Sequence, residues 1–364
     1  MAEKHAFKKP SIKDVARKAE VSVTTVSHVV SKTPGYSADT IRRVREAIEA
    51  LNYVPSYVAN GLRQKSTKTI GVCATDPFER SGRDLGTFSD RLWAGILEEA
   101  DLNRYKVMHF PKSIRESDEA GEFLNGQIDG LIMCASRDDK RPAVIAGAGL
   151  PVVMLARTFN VPEGVYSVAT DERLVVEKGM EHLYALGHRR IAYIAGPAYK
   201  VESAEGPNVF FDDVARSRFE SYEAWMRRNV SEFAPVSQMT KEWDAEDLTD
   251  TLKGWMQTVS PSAVFACSDV MARAVLEAAK ILGIDVPGQL SVVGIDNERE
   301  SAFVDPPLST IEVPIYSLGR LAVHKLLSAL RGTSAPADFV IPAPELLARS
   351  SSGPCPNQKI ASMQ

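Results

Sequence analysis

The stretch SIKDVARKAEVSVTTVSHVV, residues 11–30, decides how the N-terminal part of the chain folds. Ser11 followed by Asp14 has the form of a capping box, in which the serine takes a free amide of the first turn and the carboxylate reaches back. A helix is therefore predicted from residue 12. Ile12, Val15, Ala16 and Ala19 recur on one face at helical spacing, with Lys13, Arg17 and Lys18 largely on the other. After a break of roughly three residues, Ser22 can cap a second helix. That helix runs from Val23 to Val30 and turns Val26, Val29 and Val30 inward and Val23, Thr24, Ser27 and His28 outward. Two short helices joined this tightly form a helix-turn-helix unit, whose second helix can lay its N-terminal side chains in the major groove of DNA. Working outward, Ser37 caps a third helix with Ile41, Val44, Ile48 and Leu51 on its apolar face and Arg42, Arg43 and Arg45 available to phosphates.

The charge distribution agrees with that reading. The first 70 residues carry 13 Lys or Arg against 6 Asp or Glu, a net of +7, whereas the other 294 carry −11. A small basic module on an acidic body suits phosphate-backbone binding, because the cations release condensed counterions locally. At 364 residues the chain exceeds one core and calls for two or three folding units. No apolar run approaches the ~18 residues that suggest a membrane span, so no membrane partner is expected. Met1 to Lys13 is polar and basic, without the apolar core of a secretory signal, and a cytoplasmic location is expected. Cys73, Cys134, Cys267 and Cys355 lack ligand spacing and are read as reduced thiols with no metal. There is no GxSxG elbow, P-loop, HExxH or strand-borne GxGxxG, so neither an enzyme nor a cofactor is expected. His182 and His188 are read as surface or capping residues.

After Pro55, residues 57–65 (YVANGLRQK) form a weak helix, since Asn60 and Gly61 both lower propensity and so short a helix does not persist alone. From Thr69 onward short apolar runs alternate with helical segments: 70–74, 107–110, 131–133, 152–155, 191–195, 264–267 and 292–295. That rhythm predicts βαβ units and parallel sheets.

Residues 14–30, with LNYVPS at 51–56, resemble the headpiece of the lactose/galactose repressor (LacI/GalR) family of bacterial transcriptional regulators. The resemblance continues to about residue 351 through ALGHRRIAYIAGP (185–197), FACSDVMA (265–272), SVVGIDN (291–297) and PPLSTI (306–311). It implies an all-α headpiece over 1–56, a hinge over 57–68, a two-lobed α/β periplasmic-binding-protein-like domain over 69–351, and a flexible tail over 352–364. The chain is expected to cross between the lobes near 167, 297 and 320. The resemblance further implies a homodimer on double-stranded, near-palindromic operator DNA, acting as a repressor by default. Ser22, Val23, Thr24, Thr25, Ser27, His28, Tyr53, Ala59 and Leu62 match its DNA-binding positions, with Leu62 as a wedge in the minor groove. Arg218, Asp296, Ser268, Trp243, Leu92, Ile315 and Leu318 match positions that line a cleft for a small-molecule effector. An arginine fork, a carboxylate and an aromatic face suit either a sugar-like carbohydrate or a small acidic metabolite.

The chain departs from the family pattern at several points. Glu20 stands where the turn commonly has glycine, and a left-handed non-glycine residue costs roughly 1–2 kcal/mol. His28 replaces the usual arginine and can donate only singly to a base. Ala156 replaces an aspartate of some sugar-binding members, with Arg157 beside it. Residues 198–214 are longer than expected before Arg218 and form either a lid over the cleft or a surface loop. The tail after Ala348 lacks the leucine heptads of a tetramer-forming coiled coil, so a dimer is expected. Leu62→Ala should weaken binding to a specific site far more than to random DNA, whereas Arg42→Ala should weaken both with a smaller salt slope. Titrations at several salt concentrations would check this, and equal losses on both DNAs for Leu62→Ala would remove the wedge.

Overall fold

The computed structural model describes residues 10–31, 33–53, 66–74, 88–111, 114, 119–134, 139–155, 161–203, 206–211, 213–240, 248–333, 339–341 and 346–356. The chain divides into two compact units between Lys68 and Thr69.

In the first unit, α1 (Ile12–Lys18), α2 (Val23–Val30) and α3 (Ala38–Ala50) pack around Val15, Val26 and Val44, with Ala16, Ala19, Ala47 and Tyr53. Each start is fixed by a side chain. The Ser11 amide and hydroxyl donate to the Asp14 carboxylate at 2.9 and 2.6 Å. The amides of Thr25 and Thr40 donate to the hydroxyls of Ser22 and Ser37 at 3.0 and 3.2 Å. These bonds satisfy amides that the helices themselves cannot. Glu20 holds the turn between α1 and α2 with φ +53, so the left-handed turn is kept without glycine.

The second unit contains two sheets. In the first lobe, β2 (Lys106–His109), β1 (Thr69–Cys73), β3 (Gly130–Met133), β4 (Val152–Leu155), β5 (Tyr166–Thr170) and β12 (Phe339–Ile341) lie side by side, all parallel. In the second lobe, β8 (Val236–Thr240), β6 (Ile191–Ser203), β9 (Ala263–Ala266), β10 (Ser291–Ile295) and β11 (Ser309–Ile311) are parallel, and β13 (Leu346–Leu347) closes the edge antiparallel to β11. Strands β1, β3, β4, β9 and β10 are buried at every position, the mark of parallel strands covered on both faces.

Helices α4 (Phe88–Leu102), α5 (Arg141–Gly147) and α10 (Ile315–Leu330) pack in the first lobe. Helices α6 (Glu172–Ala185), α7 (Asp213–Asn229), α8 (Leu248–Val259) and α9 (Asp269–Leu282) pack in the second. α4 and α10 cross backbone to backbone. A Cβ on Gly95 would stand 2.1 Å from the Tyr316 carbonyl oxygen, and one on Gly319 2.3 Å from that of Leu92, so only glycine fits the crossing.

Three expectations are corrected. The lobe crossings follow Thr170, span 312–314 and fall between Ile341 and Leu346, rather than near 167, 297 and 320. β11 still belongs to the second sheet and α10 to the first lobe, and the chain returns only after β12. In the segment read as either a lid or a surface loop, residues 198–203 extend β6 and residues 206–211 pair with them antiparallel as β7 (Gly206–Phe211), with Ala198 opposite Phe211, so the loop alternative is replaced by a β-ribbon. Finally, residues 352–355, read as the start of a flexible tail, are tied into the second lobe. The Gly353 amide donates to the Ser291 hydroxyl at 3.0 Å and the Cys355 amide to the Leu186 carbonyl at 2.8 Å.

His188 belongs to this stitching and is fully buried, not a surface residue. Its Nε2 lies 3.0 Å from both the Ser291 hydroxyl and the Gly353 carbonyl, and its Nδ1 lies 3.1 Å from the Ser262 hydroxyl. Burial holds the imidazole below its ordinary range. As the pH falls through about 6.5 the unfolded chain takes up a proton that the folded chain does not, so stability falls on acidification. Denaturant titrations from pH 7.5 to 5.5 should show the wild type losing more stability than His188→Gln; parallel curves would contradict this.

Candidate nucleic-acid interface and effector site

In the first unit Ser22, Val23 and Thr24 are exposed at the start of α2, Val23 by 41%, while Thr25, Ser27 and His28 are half-buried. These side chains follow from the alternation that buries Val26. Tyr53 is only 9% exposed and sits in the core around Val15, Val26 and Val44. Ala59 and Leu62 lie outside the described residues. Arg42, offered to phosphates by its sequence position, bridges Asp39 at 2.6 Å and Glu46 at 3.0 Å along α3. A phosphate would have to displace those exposed carboxylates, which such surface pairs permit at small cost.

The second unit gathers buried charge at the carboxyl ends of its second sheet. Arg218, on α7, is 4% exposed. Its Nε donates to Glu172 Oε2 at 2.6 Å and its Nη1 to the Cys267 carbonyl at 2.5 Å. Its Nη2 stands 3.9 Å from Asp296 Oδ1, wider than a hydrogen bond. The Thr170 hydroxyl donates to the other oxygen of Glu172. Asp296 follows β10 with φ +110 and Asn297 with φ +51. Two consecutive non-glycine residues in that region hold a strained strand end, a feature that collects at ligand clamps. Burial pushes the Asp296 carboxyl well above the usual range, opposed by Arg218.

Ser268 caps α9 by accepting the Met271 amide at 3.3 Å. Its neighbour Asp269, which sequence reasoning passed over, is fully buried and accepts from the Glu298 amide at 2.9 Å, Ser301 at 2.6 Å and Thr310 at 2.5 Å. Burial raises it to about 6 despite those three donors. Glu172 and Arg91 were also missed. Arg91 reaches from α4 to the carbonyls of Asp296, Asn297 and Val313 at 2.8, 3.1 and 2.8 Å. Only Asp269 carried a local signal, standing beside Ser268; the cation that Glu172 meets lies 46 positions away and the carbonyls that Arg91 meets lie 205 to 222 positions away.

The structure brings Arg218 and Asp296 together and seats Ser268 at the start of α9, beside the Cys267 carbonyl that Arg218 binds. It places Leu92, Ile315 and Leu318 in the apolar core, all at most 1% exposed, rather than on an open surface. Trp243, Ala156 and Arg157 lie outside the described residues. An arginine nitrogen and a carboxylate 3.9 Å apart can together receive a hydroxyl, which accepts from one and donates to the other. Arg218→Met should cost about 3–5 kcal/mol, because Glu172 and Asp296 would remain buried without their cation. Denaturant unfolding checks it, and Arg218→Met with Glu172→Gln should lose less than the sum of the two changes; strict additivity would deny the pair.

Residues 11–56 match the family described as "Bacterial regulatory proteins, lacI family", and residues 180–352 match "Periplasmic binding protein-like domain". The HTH-type transcriptional repressor PurR of Aliivibrio fischeri (strain MJ11) is 31% identical over 353 residues, covering 94% of this chain and 98% of that protein. PurR of Glaesserella parasuis serovar 5 is 31% identical over 354 residues, with the same coverage of 94% and 98%. Among solved structures, the lac repressor dimer bound to operator and the anti-inducer ONPF is similar with a TM-score of 0.78 and 27% identity, covering 95% of this chain and all of that one. The regulator CelR in complex with cellobiose shares the fold, with a TM-score of 0.66 and 24% identity over 94% of this chain and 100% of that one. The chain belongs to the LacI family of bacterial regulatory proteins.

Proposed function

We propose that the protein is a cytoplasmic, sequence-specific transcriptional regulator, by default a repressor, that binds a near-palindromic operator as a homodimer and is controlled by a small molecule held between the two lobes. The observation that carries this is the exposed N-terminal face of α2 on a helix-turn-helix unit, in the basic part of an otherwise acidic chain. Relatives named as repressors, and a related dimer solved on operator DNA, support it. The family is one of regulators rather than enzymes. No described helix is long and apolar enough to cross a membrane.

Of the two effector chemistries open from the sequence, the geometry favours the neutral, hydroxyl-bearing one. The Arg218 guanidinium already holds Glu172, with Asp296, Asp269 and Glu298 buried nearby. An anionic ligand would have to compete with Glu172 for the Arg218 guanidinium, whereas a hydroxyl fits between Arg218 and Asp296 without adding charge. The ligand acts by linkage: it changes operator affinity only as far as it prefers one of two states of the protein.

Selection from random duplex DNA by the full-length protein at near-physiological salt tests the reading, run with and without pools of neutral sugars and of small organic acids. Enrichment of one near-palindrome is expected, altered by the neutral pool. Failure to enrich any sequence under every condition would refute it, and a response confined to the acids would refute the effector class.

A further inference from the structure

His28 is held from two sides. Its carbonyl accepts the Ser31 hydroxyl at 3.1 Å and the Thr33 amide at 2.9 Å, which pins the end of α2. Its ring Nδ1 lies 2.7 Å from the Tyr36 hydroxyl, and the two half-buried rings are tilted by 59° with centroids 5.8 Å apart. Tyr36 is delivered there by Gly35, whose φ of +112 only glycine adopts freely, and by Ser37, the cap of α3. The ring contact therefore joins the end of the outward-facing helix to the start of the next.

The direction of that hydrogen bond decides what His28 can read. A phenol is a stronger acid than a neutral imidazole N–H, and an imidazole nitrogen is a stronger base than a phenol oxygen. On that ordering the Tyr36 hydroxyl is the donor across the 2.7 Å contact whenever the ring is neutral, and the ring proton falls to Nε2. We propose that Tyr36 is a specificity-determining positioning residue: by donating to His28 Nδ1 it holds the imidazole as the Nε2–H tautomer and makes His28 a hydrogen-bond donor toward the operator. Such a donor accepts guanine, whose N7 and O6 are both acceptors, and rejects cytosine, which presents a donor in the major groove. The inference rests on reading α2 as the base-reading helix. It replaces the missing arginine with a singly donating group of the same polarity.

Two measurements on full-length protein test it. Protein labelled with ¹⁵N-histidine, recorded with the ring neutral, should show His28 as the Nε2–H tautomer in the wild type and a mixture in Tyr36→Phe, which keeps the aromatic packing. A wild-type Nδ1–H tautomer, or an unchanged pattern in Tyr36→Phe, would overturn the proposal. Site selection from random duplexes should show roughly five- to tenfold discrimination against cytosine at one position of each half-site, falling to about twofold or less in Tyr36→Phe. An operator selected equally stringently by both proteins would overturn the role of Tyr36 and leave the regulator intact. If the wild type enriches no sequence, the regulator reading fails and this role with it.

Discussion

A guanidinium cannot shed its charge, so wherever the fold buries one it must also bury the groups that neutralise it. Arg218 imposes that requirement on the second lobe. It draws Glu172 from the first turn of α6, the Cys267 carbonyl from the end of β9 and Asp296 from the end of β10 into one place. Below them Asp269 ties the segment after β10 to β11 through Glu298, Ser301 and Thr310. A Cβ on Gly294 would come within 2.3 Å of Asp269 Oδ1, so even the strand carries a glycine to make room for the buried carboxylate. The carboxyl ends of these strands are where ligands bind in open α/β sheets, and here they are held by ionic pairing rather than by apolar packing.

The same strand ends connect to the first lobe. Arg91 leaves α4 to bind the carbonyls that follow β10 and the Val313 carbonyl in the crossing at 312–314. Its helix is in turn locked against α10 at the glycine contacts of Gly95 and Gly319. A ligand that repositions Asp296 therefore acts on groups bonded to α4 and to the interlobe crossing. Packed helices of this kind respond by small discrete shifts rather than by continuous deformation. That gives a physical route by which occupation of the cleft can bias the domain between two states.

Much of the fold was legible in the residues. The bounds of α2 and its cap came from Ser22 and the helical spacing of Val26, Val29 and Val30, and the buried strands declared themselves as β-branched runs. Short edge strands did not. β11, β12 and β13 are three, three and two residues long, too short for a period to register, and they are what carries the crossings on to 312–314 and beyond Ile341. The site was half legible: Arg218 and Asp296 stood in motif positions, while Glu172 and Arg91 gain their roles from partners far away in the chain. The burial of His188 is not legible, because a histidine in a polar motif gives no sign that Ser262, Ser291 and the Gly353 carbonyl will enclose it. Val23 and Thr24 were placed outward correctly because α2 has one apolar face, and that argument is local.

Regulation by a small molecule requires that a ligand in the second unit and an operator on the first be thermodynamically coupled. The most direct measurement is the affinity of the full-length protein for its selected operator, with and without a saturating neutral polyol, together with the polyol affinity with and without operator. Both affinities should change by the same factor, five- to 150-fold for a typical coupling of about 1–3 kcal/mol. A ligand that binds with operator affinity unchanged would contradict it.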